Sequence, residues 1–181
     1  ARSLPADGNE ATWVALDGAD GDRSAVESLE IRWDNEAWTA TGTLHETRVQ
    51  YVMRISPFWE LRQLLLFRDL DEPDLWLGTD GRGRWGEVNG AHRPDLDGAR
   101  DAMVAGSNFG WTPPIRRMPL PPGEEMTFPM LVVDPETLGV TTRQIAMRRT
   151  VEHRWVIDGS TLEVDDFGVV LDVPERVRRA T

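Results

Sequence analysis

The apolar residues of this chain recur with a period of two, in short runs separated by Gly, Pro, Asp and Asn, and that pattern admits little besides β-structure. Val49-Gln50-Tyr51-Val52-Met53-Arg54-Ile55 puts Val49, Tyr51, Met53 and Ile55 on one face of a strand. Leu61 to Phe67 is a denser apolar run, expected to be buried on both sides. Leu75 to Thr79 and Arg84 to Val88 flank Asp80-Gly81, a dipeptide favoured in hairpins, and Asn89-Gly90 follows just beyond. Met126 to Val133 is bounded by Pro122-Gly123 and Asp134-Pro135. Residues 143–157 alternate over a span long enough to require a bend near Thr150. Asp165-Asp166-Phe167-Gly168 joins Leu162–Val164 to Val169–Val173 as a turn. Helical propensity is confined to residues 96–105.

These signals predict an all-β fold: a strongly curved antiparallel sheet or incomplete barrel with at most one or two short helices. Residues 1–24, rich in Gly, Asp and Ala, are expected to form a flexible arm ahead of a single β domain over 25–181. A curved sheet of this size is expected to enclose a concave apolar space, the usual setting for a small-molecule ligand.

Charge and composition exclude several function classes. The net charge is −11, and all 20 basic residues are arginine. An acidic chain lacks the clustered basic face that nucleic acid requires, and it has no electrostatic grip on anionic membranes. Without cysteine there is neither a disulfide nor thiolate chemistry. No apolar run approaches the roughly 18 residues of a membrane span, and no charged-then-apolar signal opens the chain. A cytoplasmic location without stable membrane insertion is therefore expected.

Several motifs do not carry the chemistry their letters suggest. Gly81-Arg82-Gly83-Arg84-Trp85-Gly86 spells G-x-G-x-x-G but has β-patterned neighbours on both sides, so it reads as a glycine-rich hairpin. His45, His92 and His153 are scattered, which leaves no metal or cofactor site to expect. Asp17-Gly18-Ala19-Asp20-Gly21-Asp22 has Ser28 where a calcium loop needs its bidentate acid. Gly106-Ser107-Asn108 is not a nucleophile elbow.

Trp111-Thr112-Pro113-Pro114-Ile115-Arg116-Arg117-Met118 is more specific. Prolines fix φ and lack a ladder donor, so the segment is expected to approach a sheet edge in extended form. With a strand starting at Ile115, Arg116 and Arg117 would point to opposite faces. The inward guanidinium would need a carboxylate, a carbonyl or a ligand. Eight tryptophans add indole faces suited to sugars and amphiphiles, or simply to a core. Arg116, Arg117, Tyr51, Trp85 and Trp111 are the candidate ligand-binding residues. The alternatives are a hydrolase using an acid pair such as Asp165/Asp166, and a structural protein with a solid core.

The order of four features resembles a bacterial family described as "putative glycolipid-binding". They are the Gln50-Tyr51-Val52 strand, the Trp85 strand after a glycine turn, Pro114-Ile115-Arg116-Arg117, and Asp165-Asp166-Phe167-Gly168-Val169-Val170-Leu171-Asp172-Val173-Pro174 with Arg178 and Arg179 following. The resemblance spans roughly residues 30–179. The chain departs from the family pattern at Gly110-Trp111-Thr112-Pro113, where a Thr-Asn-Thr-Leu run is usual, and at Val173, where tyrosine is usual. The resemblance implies a fold like that of bacterial lipoprotein carriers and a small amphiphilic ligand as partner.

Overall fold

The computed structural model describes residues 4–5, 8–15, 25–69, 71–174 and 177–180. Its first half contributes β1 (Asn9–Ala15), β2 (Ala25–Asp34), β3 (Ala37–Leu44), β4 (Val49–Ile55), β5 (Leu61–Phe67), β6 (Leu75–Thr79) and β7 (Trp85–Glu87). The second half contributes β8 (Asp101–Val104), helix α1 (Thr112–Arg117), β9 (Glu125–Val133), β10 (Val140–Val151), β11 (Arg154–Ile157), β12 (Ser160–Val164), β13 (Val170–Val173) and β14 (Val177–Arg179). Single 3-10 turns lie at Pro94–Leu96 and Phe109–Trp111.

All fourteen strands form one sheet, ordered β7-β6-β5-β4-β3-β2-β1-β14-β13-β12-β11-β10-β9-β8. Every neighbour is antiparallel except β8 beside β9. The two ends of the order do not pair, so the sheet is open rather than a closed barrel. Trp85 closes part of the gap: its indole N–H donates to the carbonyl of Ala99, just ahead of β8, at 2.8 Å. Trp13 does the same inside the sheet, donating to the Val170 carbonyl at 3.1 Å.

One face is buried, as the alternation predicts. In β4 the residues Val49, Tyr51, Met53 and Ile55 are inside, and in β3 so are Trp38, Ala40 and Leu44. Antiparallel succession also fixes where the turns fall. Those after β2, β4, β6, β10 and β12 share one end of the sheet, its upper rim.

Four local expectations require correction. Leu61–Phe67 has one buried face, through Leu61, Leu64 and Leu66, while Leu65 is half-buried. The stretch expected as an arm contains β1, whose Trp13 is fully buried; residues 16–24 lie outside the described residues. Residues 97–105 are not helical, and Leu96 only ends a 3-10 turn, because Asp101–Val104 pairs with β9 and sheet pairing overrides the weak local propensity.

The fourth is the segment at Ile115, which is helix rather than strand. Pro113 and Pro114 occupy the first turn, where missing N–H donors cost nothing and a fixed φ suits the helix. Arg116 and Arg117 therefore diverge by about a third of a turn rather than pointing to opposite faces. The bend near Thr150 is present, as the turn between β10 and β11.

Candidate functional site

The segment between β8 and β9 crosses the buried face, and two of its fastenings involve sequence-predicted candidates. At one, Glu27 of β2 is completely buried and receives four hydrogen bonds. The hydroxyls of Tyr51 (2.6 Å) and Ser107 (2.7 Å) donate to its Oε1, and the Asn108 backbone N–H (2.6 Å) and Nδ2 (3.0 Å) donate to Oε2. Burial raises the Glu27 pKa despite those donors, which pull it back down. It also raises the Tyr51 phenol well above its ordinary value, with the Glu27 charge adding to the effect. Tyr51 fits here because it lies flat on its cross-strand neighbour Gly42, where a Cβ would stand 2.1 Å from the phenol ring.

The other fastening is Arg116. Its guanidinium lies over the Trp59 indole, 4.1 Å from the ring centroid, and donates to the Phe167 carbonyl in the β12–β13 turn. It thus joins the β4–β5 turn to the β12–β13 turn at the upper rim. Burial lowers its pKa to about 10, with Asp165 opposing the shift. Trp59 in turn stacks on Trp38 at 5.8 Å, and Trp38 meets Trp33 edge-on at 4.9 Å.

A cavity of about 530 Å³ opens beside Arg116 at the upper rim. Part of the lining is apolar: Ile115, Met118 and Leu120 from α1 and the linker after it, with Val164 at the end of β12. The rest is polar, formed by Arg149, Glu152, His153, Asp165 and Asp166 around Trp155. Several of these side chains already have partners. Asp165 accepts the backbone N–H groups of Phe167 and Val169 on one oxygen, each at 2.9 Å, and Arg179 on the other at 2.7 Å. Arg149 ties the linker down by donating to the Leu120 carbonyl at 3.3 Å, and its guanidinium lies 5.7 Å from the Trp155 ring. The Trp155 Nε1 is buried without a hydrogen-bond partner among the described residues.

Of the five predicted site residues, Arg116 alone lines this cavity. Arg117 is paired with Asp101, a buried carboxyl whose pKa burial raises and Arg117 lowers. Tyr51 and Trp85 are fully buried in the core, and Trp111 packs against it. The interior expected to be hollow is occupied by such side chains and by the crossing segment, including Phe109. The cavity sits at the rim instead. Sequence reasoning missed Arg149, His153 and Trp155 as a group. Their signal was present, since all three fall on one side of the alternation over 143–157.

Fold and cavity together define an open, single-sheet β protein with a half-apolar, half-polar recess at one end. The chain belongs to the family described as "Putative glycolipid-binding", whose model matches residues 10–179. Its fold is similar to the crystal structure of a DUF1089 family protein from Pseudomonas aeruginosa. The TM-score is 0.67 at 23% identity, covering 96% of this chain and 92% of the other. No curated protein matches the chain. Among the described residues no helix is long and apolar enough to cross a membrane.

Proposed function

We propose that the chain binds a glycolipid-like amphiphile, with its polar head in the rim cavity. The carrying observation is the mixed lining of that cavity, apolar and polar side chains together, at a volume within the roughly 300–1,000 Å³ usual for small-molecule sites. The family description points the same way. Arg116 supplies hydrogen-bond donors from a partly dehydrated position, and Ile115, Met118 and Leu120 supply surface for the first carbons of the chain.

The hydrolase alternative has less support. Of the carboxyls in the cavity lining, Asp165 spends both oxygens on its own turn and on Arg179, and Asp166 lies 3.6 Å from His153. Glu27 and Asp101, whose pKa values are raised, are absent from the cavity lining.

Titration calorimetry with monomeric octyl glucoside tests the proposal. Saturable binding that weakens in Arg116→Ala supports it, and no heat at ligand concentrations below micelle formation overturns it.

A further inference from the structure

Four large apolar side chains are exposed among the described residues: Trp33 (40%), Phe58 (77%), Val88 (62%) and Val151 (55%). They are not scattered. Trp33 precedes the β2–β3 turn, Phe58 is in the β4–β5 turn, and Val151 ends β10 at the β10–β11 turn. By the antiparallel order these three share the upper rim with the cavity, and only Val88, just past β7, lies at the other end.

The most exposed of them is also the most deliberately held. In the β4–β5 turn the Ser56 hydroxyl accepts the backbone N–H groups of Phe58 and Glu60, both at 3.2 Å, and Ser56 N–H donates to the Glu60 carbonyl at 2.8 Å. Glu60 is itself gripped by Arg62 at 2.7 Å and Arg100 at 3.1 Å. Trp59 adopts a left-handed φ of 64°, a costly conformation for a bulky residue, and this turns its indole inward onto Trp38 and Arg116. The consequence is that its neighbour Phe58 is held outward on a rigid turn. A turn that spends strain and five hydrogen bonds to display a phenylalanine to water is organised for a contact.

We propose that the upper rim docks on a lipid surface, with Phe58 as the inserted side chain and Trp33 and Val151 at the interface around it. The partner is a bilayer with uncharged or zwitterionic headgroups. Phe and Trp are suited to the headgroup boundary, where apolar area is buried and an indole edge stays wet. The rim carries both signs of charge, with Asp34, Glu36, Glu60 and Asp166 among Arg32, Arg62, Arg82 and Arg84, so an anionic surface gains nothing from it. Docking in this orientation brings the cavity to the membrane side, because its lining includes Glu152 and His153 of the β10–β11 turn and Asp165, Asp166 and Gly168 of the β12–β13 turn, both at the upper rim. The membrane role rests on the reading of the cavity as an amphiphile site, but it requires no particular headgroup. Three side chains give weak, reversible attachment.

Flotation with phosphatidylcholine vesicles tests the docking, and octyl glucoside titration in solution is run beside it. The wild type is expected to float, and Phe58→Ser to lower the bound fraction about tenfold, the effect of removing one buried aromatic ring. Val151→Thr is expected to lower it in the same direction. Both variants should keep the melting temperature and the octyl glucoside affinity of the wild type. A wild type that stays at the bottom of the gradient overturns the docking, whatever its affinity for octyl glucoside. So does flotation that Phe58→Ser leaves unchanged, or a Phe58-dependent dimer in solution. Phe58-dependent flotation without octyl glucoside binding leaves the docking standing and removes the headgroup reading instead.

Discussion

Gly42 and Tyr51 face one another across β3 and β4, and the pair shows how a single atom sets the interior. The tyrosine lies where a Cβ would be, which lets its hydroxyl reach Glu27. Gly42→Ala is expected to push the ring off that carboxylate and to cost about 1–3 kcal/mol, as overpacked cores do. A lowered urea midpoint with unchanged slope would register it. Arg116 behaves differently. It lies half inside a cavity and its carbonyl contact is at the rim, so Arg116→Ala is expected to weaken octyl glucoside capture at least tenfold and lower the melting temperature only slightly. Equal losses in the two measurements would identify it as a fastening only. Tyr51 and Trp85 were legible in the sequence as important aromatics, but a strand pattern tells which face is buried and nothing about how deep. Both turned out to have hydrogen-bond partners inside the core.

At the scale of elements, the strands were readable because alternation and turn dipeptides coincide, as at Asp80-Gly81 between β6 and β7. The segment between β8 and β9 was not. Pro113-Pro114 suits an extended approach and a first helical turn equally well, and only the packing of Pro113, Pro114 and Ile115 on the buried face chooses the helix. Gly106-Ser107-Asn108 lacks the nucleophile-elbow pattern, yet its polar atoms meet a residue 80 positions away, a contact no local pattern announces. Ser107→Ala is expected to remove one donor from Glu27 and cost about 1–2 kcal/mol. It should speed hydrogen exchange in residues 105–112 more than in β4.

For the whole molecule, Glu27 and Asp101 make stability depend on pH in a definite direction. Burial raises both carboxyl pKa values above their ordinary 4.5 and 3.8. A raised folded-state pKa gives stability that is complete below the unfolded value and is lost as pH rises through the folded one. The urea midpoint is therefore expected to fall as pH climbs from 5 towards neutrality. Glu27→Gln, which cannot ionise, should show a shallower decline, and an equal decline in both proteins would refute the assignment.

The lone parallel pairing has a further consequence. A chain that enters two adjacent strands in the same direction must first travel back along their length, and here the return journey passes over the oily side of the sheet. It also supplies much of the recess. Recess-lining residues of this return leg, such as Met118 and Leu120, can be exchanged while all thirteen ladders keep their partners, so selectivity for a guest can drift through this one connection without asking the scaffold to refold.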